Sequence, residues 1–543
     1  MKEHAGASFG APASAPARAS PASARGSAPE SALGPTSSPG ERADGPLLAL
    51  AFAKLALQAA AITRYGYFRD ELYYLVCAQH PAAGYVDQPP LSIWILGLVR
   101  AVLGDSLIAI RLLPALAGAA TVFLTGRIAR ELGGGRFAQS FAALAALVVP
   151  VFIGTDHYYS MNTFDILLWT LAALLALRAL TAGTPRLWLL LGVVLGLGLL
   201  NKISVMWLGA GLIAGILASP SRRVLLTRWP WLAAGIAVLL FSPHLLWQVQ
   251  HGWPTLEFMR NATGRKMAAV SAAGFVAAQV LAMNPVTLPL WLAGLVWLLF
   301  ARPARSARAL GVMYLAVAAF LIAGGRSRTS YLAPAYVALF AAGALVLERA
   351  TAGRARAMRA AAVAVVLVMG AVALPFALPL LPVETYIRYA RTLGMAPSTE
   401  EHHRMGLLPQ QYADMFGWEE LVDEVERAYK SLSPEEQARC SIFAQNYGEA
   451  GAITVLGRRR GLPPALSGHN NFWLWGPGKR SGEVMVVVGG DLEDNQRVFR
   501  ELTRVGTVRS KYAMPYEQDM PIYIGRGLKI PMRELWPIVK MYV

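Results

Sequence analysis

The stretch RLWLLLGVVLGLGLLNKISVMWLGAGLIAGILAS, residues 186–219, decides the fold class. Two apolar arms flank one polar turn at Asn201-Lys202, and apolar runs of roughly 17 to 20 residues recur from Pro46 to Leu381, the length that a helix needs to cross a bilayer. Of the 543 residues, 55% are hydrophobic and 15% are charged, and the mean hydropathy is +0.42. A soluble chain carries about a quarter charged residues. The sequence therefore predicts a mainly α, polytopic helical membrane protein.

The basic residues set the predicted orientation and explain the net charge of +17. Arginine clusters lie in short loops between apolar runs, where the positive-inside rule places them on the cytoplasmic side. This distribution favours a membrane protein over a nucleic-acid-binding one. The clusters occupy residues 127–136, 222–228, 302–308 and 349–359. The spans consistent with them are residues 46–64, 110–127, 137–155, 164–182, 186–200, 204–219, 231–249, 285–301, 309–324, 331–348 and 361–381.

These eleven predicted spans put the N-terminus inside and the C-terminal region outside. The apolar stretch Leu91–Leu103, after Pro89-Pro90, does not fit this count. It is short for a bilayer, and a crossing there would put the cluster at 127–136 outside. We therefore predict a re-entrant or interfacial helix on the outer surface.

Composition divides the chain into three parts. Residues 1–45 are rich in Ala, Pro, Ser and Gly and predict a disordered cytoplasmic tail. Residues 46–385 form the predicted transmembrane domain, and residues 386–543 are polar and mixed. Only Cys77 and Cys440 occur, which excludes a disulfide framework and a CxxC metal site.

The last part alternates predicted helices and strands. Apolar residues at helical spacing predict a helix over Trp418–Lys430, and Ser433 begins a further turn as an N-cap. Cys440–Ala444 and Glu483–Val488 are expected to be buried strands, with a helix over Asp491–Val505. Such alternation predicts a small α/β domain outside the membrane, in the periplasm.

Two adjacent carboxylates, Asp70 and Glu71, follow the first predicted span. Carboxylates at the membrane boundary are costly unless they are solvated, paired or used in function. A solvated helix start would explain them, because acidic side chains favour a helix N-terminus. A carboxylate in a partly desolvated cleft could also act as a general base. The residues alone leave both interpretations open.

Other polar residues collect on the same predicted outer face. Asp87 precedes the double proline and is either a turn residue or a site residue. Asp165 opens an apolar span and could cap it, and Asp156-His157 resembles half of a metal site. A lysine at a membrane boundary either reaches the headgroups or binds phosphate. The remaining candidates are Lys202, His251, Arg326 and Tyr331.

Six segments resemble, in order and spacing, the bacterial membrane glycosyltransferases related to protein O-mannosyltransferases and to the lipid A aminoarabinose transferase. They are RDELY (69–73), DQPPL (87–91), YSMNTFD (159–165), LLNK (199–202), QHGWPTLEF (250–258) and YLAPAY (331–336). The resemblance covers residues 65–345. Two places depart from the family pattern: Gln88 stands where a basic residue is frequent, and residues 325–331 read GRSRTSY.

The resemblance implies a C-type glycosyltransferase fold whose outer cleft takes a polyprenyl-phosphate sugar. It implies that the pair Asp70 and Glu71 supplies the catalytic carboxylate, with Asp70 at the family position, and that Asp165, the acidic residue of the second outer loop, is a further catalytic residue. The implied substrate-binding residues, of which Lys202 and Arg326 hold the lipid phosphate, are Asp87, Asp156, Lys202, His251, Arg326 and Tyr331.

The expected activity is inverting transfer of a hexose or pentose from an undecaprenyl-phosphate donor to a lipid A, glycan or protein acceptor. It would occur on the outer face of the inner membrane, among membrane lipids and without nucleic acid. A divalent metal held by Asp87 with His251 or Asp156 stays open. The rival interpretations are a transporter or flippase of a lipid-linked intermediate, which should show related halves, and a non-catalytic scaffold.

Overall fold

The computed structural model describes residues 43–182, 184–353 and 356–543. The predicted tail of residues 1–45 therefore lies, apart from its last three residues, outside the described residues. The membrane-type region is a helical bundle. Its helices are α1 (Asp44–Ala59), α2 (Arg69–Cys77), α3 (Leu91–Leu103), α4 (Leu107–Glu131), α5 (Arg136–Leu147), α6 (Pro150–Thr155), α7 (Met161–Ala182), α8 (Pro185–Asn201), α9 (Val205–Leu217), α10 (Trp229–Gln250), α11 (Pro254–Asn261), α12 (Ala272–Ala282), α13 (Leu288–Phe300), α14 (Arg308–Gly324), α15 (Tyr336–Ala350), α16 (Arg356–Ala377) and α17 (Val383–Thr392).

Each of the eleven predicted spans contains a helix, but not every helix is long enough to cross a membrane by itself. Among the described residues, five helices are long and apolar enough, or up to seven if two bent pairs each count as one span. The segment predicted at 137–155 is divided between α5 and α6, because the residue before Pro150 adopts an extended conformation. The count of eleven stays a prediction.

A second break separates α12 from α13, which meet at 98°. Asn284 between them adopts a positive φ of 66° and Pro285 follows, so the first helix cannot continue. Helix α12 lies outside the predicted spans. The predicted helix at Leu91–Leu103 is present as α3, and it exposes Trp94, Leu98 and Val102. An apolar exposed face is what an interfacial helix presents to lipid.

Helix α15 lies at the centre of the bundle, and its residues Tyr336–Leu345 are all buried. It packs on α13 with almost no side chain between the two backbones. A Cβ on Gly294 would lie 2.0 Å from the carbonyl oxygen of Leu339, and a Cβ on Gly343 would lie 2.0 Å from that of Leu290. Such small-residue contacts are the usual means by which membrane helices approach closely.

The C-terminal region contains a four-stranded sheet and short helices, as its sequence predicts. Strand order is β1-β2-β4-β3; β1 and β2 are parallel, and the other two pairs are antiparallel. The elements are α18 (Gln410–Ala413), α19 (Trp418–Lys430), α20 (Pro434–Arg439), β1 (Cys440–Phe443), α21 (Tyr447–Leu456), α22 (Asn471–Trp475), β2 (Val484–Val488), α23 (Leu492–Val498), β3 (Phe499–Val508), β4 (Met520–Leu528) and α24 (Met532–Leu535). The predicted helix at Trp418–Lys430, both predicted strands and the Ser433 N-cap are confirmed.

One prediction in this region is wrong. The helix expected over Asp491–Val505 ends at Val498, and residues Phe499–Val508 form β3. The charged sequence of β3 has no strand signature of its own, but it pairs along β4 at the edge of the sheet. Pairing with β4, which follows β3 in the chain, overrides local helix propensity there.

Helix α21 joins this region to the bundle by packing on α2. Gly451 makes the approach possible, because a Cβ there would lie 3.0 Å from the carbonyl carbon of Leu72. The contact brings residues near 447 to the start of α2, where Asp70 and Glu71 lie.

Candidate active site

The two adjacent carboxylates of α2 have different environments. Successive residues of a helix point about 100° apart, and here Glu71 turns inward while Asp70 stays 32% exposed at its side chain. Glu71 is fully buried. It accepts hydrogen bonds from Arg111 Nε at 2.8 Å and Arg111 Nη2 at 2.7 Å, and from the backbone N–H groups of Phe68 and Tyr159. Glu71 thus has the partners of a structural ion pair, which favours Asp70 as the catalytic candidate.

Asp70 is held by a residue of the C-terminal region. The hydroxyl of Tyr447 donates a hydrogen bond to Asp70 Oδ1 at 2.9 Å, and Arg69 Nε lies 3.8 Å from the same oxygen. The Tyr447 ring packs between those of Tyr73 and His469, at centroid distances of 4.8 and 4.7 Å. Because these rings fix the phenol, its hydroxyl orients one oxygen of Asp70.

A largely basic cavity of about 270 Å³ adjoins Asp70. Arg69 and Tyr447, which both contact Asp70, are part of its wall. The other lining residues are Arg265, Lys266, Glu401, His402, His403, Asn446, His469, Tyr516, Met541 and Val543. Lys266 Nζ lies 6.0 Å from the centre of the Tyr447 ring. A cavity of this charge next to a carboxylate can hold an anionic group close to a general base.

Arg69 is fixed by two residues of the C-terminal region. Its Nη1 donates to the hydroxyl of Tyr516 at 2.6 Å, and its Nη2 lies 3.5 Å from Asp414 Oδ2. Burial raises the pKa of Asp414 to about 6, although Arg69 opposes this shift.

Asp87, a predicted site residue, contacts the middle of α2. Tyr73 donates a hydrogen bond to Asp87 Oδ1 at 2.8 Å, and Asn471 Nδ2 lies 3.5 Å from the same oxygen. Burial raises the pKa of Asp87 to about 6, against the lowering effect of the Tyr73 hydrogen bond. Asp87 is therefore a carboxyl group that changes charge within a physiological pH range.

Substituting Asn for Asp87 tests this raised pKa. Native Asp87 keeps its proton up to about pH 6, whereas an unfolded aspartate loses it near pH 4. Ionised Asp87 thus lowers the free energy of unfolding as pH rises from about 4 to 6. We expect Asp87→Asn to gain stability relative to wild type by about 2 kcal/mol between pH 4.5 and pH 8. Thermal unfolding in detergent at both pH values measures this, and a difference that does not change with pH would contradict it.

Asp165 and Lys202 form a second cluster with Tyr331. Lys202 Nζ lies 2.9 Å from Asn162 Oδ1 and 3.4 Å from Asp165 Oδ2, and 5.0 Å from the centre of the Tyr331 ring. Asp165 lies one turn inside α7, which begins at Met161, so it does not cap that helix. The structure brings three predicted residues together here, and the positive charge of Lys202 is balanced by Asp165.

The remaining predicted residues do not converge on Asp70. Asp156 forms an ion pair with Lys54 at 2.9 Å, and both side chains are buried. His251 Nδ1 lies 2.8 Å from the carbonyl oxygen of Trp247. Arg326 donates to the backbone carbonyl groups of residues 263 and 264 at 2.8 and 3.0 Å.

A metal site is not apparent in the described part of the chain. Across residues 43–182, 184–353 and 356–543, no group of three or more His, Cys, Asp or Glu side chains could hold a metal ion. Asp156 contacts Lys54 and Thr163, and Asp87 contacts Tyr73 and Asn471, so neither is assigned to a metal.

The residues that complete these contacts were not predicted from the sequence. Lys54 and Arg111 were visible as single cations in otherwise apolar runs, where a buried charge requires a partner. Two polar segments of the C-terminal region contain Tyr447, His469 and Asn471. From sequence alone, such segments are equally consistent with residues that contact a substrate and with a domain that shields the cleft. Local sequence carries no sign that Tyr447 and Asn471 contact α2, because those contacts join residues 377 and 398 positions apart.

Comparison with known proteins supports the family that the motifs predict. A family model described as dolichyl-phosphate-mannose-protein mannosyltransferase matches residues 87–247. An undecaprenyl phosphate-alpha-4-amino-4-deoxy-L-arabinose arabinosyl transferase of Pseudomonas fluorescens is 26% identical over 198 residues, 35% of this chain and 30% of that protein. The lipid A galacturonosyltransferase of Rhizobium johnstonii is 27% identical over 198 residues, 36% of this chain and 41% of that protein. The matches thus span about a third of the curated relatives' length.

The fold extends much further than these sequence matches. The crystal structure of ArnT from Cupriavidus metallidurans bound to undecaprenyl phosphate has a TM-score of 0.58 to this chain at 15% sequence identity. The similarity covers 89% of this chain and 98% of the other. The resemblance found in the sequence motifs is confirmed: this is a membrane protein of the C-type glycosyltransferase fold, related to the protein O-mannosyltransferase and aminoarabinose transferase family.

Proposed function

We propose that this protein transfers a sugar from a polyprenyl-phosphate donor to a lipid, glycan or protein acceptor of the cell envelope. The observation that carries the proposal is the place of Asp70. Its carboxylate is partly exposed, is oriented by Tyr447 and adjoins the cationic cavity. The reaction would take place on the outer face of the inner membrane, with residues 386–543 in the periplasm.

The chemistry follows from this arrangement of charges. Asp70 accepts the proton of the acceptor nucleophile as that atom attacks the anomeric carbon from the face opposite the phosphate. The bond between the anomeric carbon and the phosphate oxygen breaks, and polyprenyl phosphate leaves as an anion. Lys266 and Arg265 of the cavity then stabilise the charge that develops on the leaving group.

The similar proteins support a donor and acceptor of this class. The Pseudomonas relative is named for transfer from undecaprenyl phosphate-linked aminoarabinose, and the Rhizobium relative for transfer to lipid A. We therefore take an undecaprenyl-phosphate sugar as the donor and an envelope lipid as the first acceptor to test, with a glycan or protein acceptor as the alternatives.

Reconstitution tests this function directly. The full chain is placed in liposomes with a panel of undecaprenyl-phosphate pentoses and hexoses and with extracted envelope lipids. Mass spectrometry then follows glycosylation of the acceptor and release of undecaprenyl phosphate. We expect one donor of the panel to be consumed with equal amounts of glycosylated acceptor and free carrier lipid. Movement of the intact donor across the bilayer without sugar transfer would support a flippase instead.

Tyr447→Phe tests whether the C-terminal region contributes to the reaction. The phenylalanine ring preserves the packing on Tyr73 and His469 and removes only the hydrogen bond to Asp70. We expect kcat to fall about tenfold, as for a lost hydrogen bond to a charged group, with little change in KM for the donor. The matched control is Tyr429→Phe, since among the described residues the Tyr429 hydroxyl donates only to the carbonyl group of Gln437, on α20. Equal activity of the two variants would contradict a positioning role for Tyr447.

A further inference from the structure

A short extended segment, residues 399–403, closes one side of the basic cavity. It pairs with residues 266–268: the N–H of Ala268 donates to the carbonyl of Glu400, and the N–H of His402 donates to that of Lys266. Its two carboxylates point to different partners. Glu400 accepts a hydrogen bond from the N–H of Thr329 at 2.7 Å, whereas Glu401 lines the cavity.

Glu401 lies next to two cations, an imidazole and an amide. Its carboxylate hydrogen-bonds Arg328 and lies 3.7 Å from Lys266 Nζ and 3.5 Å from His403 Nε2. Gln410 Nε2 donates to its second oxygen at 3.1 Å. The side chain is only 2% exposed. Lys266 and Arg328 together with Arg69 hold the pKa of Glu401 at about 2 against the opposing effect of burial, so the group stays ionised at any working pH.

Glu401 is linked to the candidate base Asp70 through Lys266 and Tyr447. Lys266 Nζ lies 3.7 Å from Glu401 and 6.0 Å from the centre of the ring of Tyr447, the residue that bonds Asp70. A phosphate that binds Lys266 would therefore lie near the base, and it would meet an anion already at that place. Two anions that share the same cations repel each other unless one of them moves.

We propose that Glu401 is an internal counter-ion that a lipid-linked phosphate must displace from Lys266 and Arg328 in order to bind. The inference rests on the proposed function, because it takes the ligand to be the polyprenyl phosphate of donor or product. In the empty site Glu401 balances the charges of Lys266 and Arg328, which are both partly buried. After transfer it competes with the leaving group and promotes its release.

The charge of the ligand explains why such a competitor is useful. The donor is a phosphodiester with one negative charge, whereas released polyprenyl phosphate is a monoester that carries −1.5 to −2 near pH 7. The cations of the cavity therefore hold the product more tightly than the donor. A carboxylate that can return to Lys266 and Arg328 limits this product binding.

Binding of undecaprenyl phosphate to the detergent-solubilised full chain tests the inference without any transfer step. We expect Glu401→Gln to bind undecaprenyl phosphate about tenfold more tightly than wild type, since a competing charge is removed from the site. Glu401→Asp keeps the charge and withdraws it from Lys266 by one methylene, so about threefold tighter binding is expected. This second variant keeps a negative charge near Lys266 and Arg328, so it can be used for the binding measurement if Glu401→Gln fails to fold.

Glu400→Gln is the matched control. It removes the same charge one residue away, at a carboxylate that does not line the cavity, and binding within twofold of wild type is expected. Binding by Glu401→Gln that is no tighter than by Glu400→Gln would overturn the inference, as would undecaprenyl phosphate binding to none of the variants. A wild type that binds undecaprenyl phosphate but transfers no sugar would overturn the proposed function alone.

Discussion

Asp70→Asn is expected to lower the rate of sugar transfer by about 10² to 10⁴-fold, the usual contribution of a general base. Asparagine has nearly the same shape, accepts the Tyr447 hydrogen bond through its carbonyl oxygen and cannot take a proton. The variant should therefore fold and should bind donor nearly as well as wild type. Single-turnover kinetics in liposomes, with a saturating undecaprenyl-phosphate sugar, separate the chemical step from binding.

The control for this substitution is Asp491→Asn, which changes an exposed carboxylate of the C-terminal region. Its transfer rate should equal that of wild type. If folded Asp70→Asn turns over within threefold of wild type, Asp70 is not the base. Asp87 would then become the candidate base, because it is the first acidic residue after the pair Asp70 and Glu71 and contacts Tyr73 of α2.

Glu71→Gln is expected to act on stability. The ion pair of Glu71 with Arg111 is buried on both sides, with side-chain exposures of 0% and 1%. Removing one partner leaves a buried charge without compensation, which costs about 3 to 5 kcal/mol. The midpoint of thermal or denaturant unfolding in detergent should fall accordingly, and the yield of folded protein with it.

A double substitution separates loss of charge from loss of shape. Glu71→Gln combined with Arg111→Met removes both charges, and it should recover part of the lost stability because no unpaired charge remains. Arg111→Met alone should be as damaging as Glu71→Gln. A Glu71→Gln variant as stable as wild type, yet inactive, would contradict a structural role and would make Glu71 the catalytic residue.

Asp70 and Glu71 show which features of the site can be predicted from the sequence and which depend on the tertiary structure. The sequence predicted that an acidic pair at the start of α2 matters, and the family motifs favoured Asp70. Which carboxylate is buried depends on Arg111 of α4, and local sequence does not specify that contact. Similarly, the family resemblance implied that Lys202 is a phosphate ligand, whereas its neighbour Asp165, which lies on helix α7, is identified only by the structure.

The helices of the bundle could be predicted from the sequence because hydropathy is a local property. A lipid-facing or buried helix must be apolar along its own length and must satisfy its own backbone hydrogen bonds. The helix breaks at Pro150 and Asn284-Pro285 also have local signals in the sequence, because proline disfavours a continuing helix. The predicted span at 137–155 nevertheless ran across Pro150, and the span at 285–301 began at Pro285. Strand β3 could not be predicted from its own residues, because several of them are charged and they form a strand only by pairing with β4, some twenty positions later.

The sequence by itself determined the membrane class, the positions of the apolar helices, the family motifs and the charged residues that require partners. Hydropathy, proline and charge act over one helix or one turn, so each can be read from a few neighbouring residues. Only the tertiary structure decided which charges are paired, that Tyr447 completes the environment of Asp70, and that Glu401 lies next to Lys266 in the wall of the cavity. These contacts join residues between about 40 and 380 positions apart, and only packing of the whole chain brings them within a few ångströms.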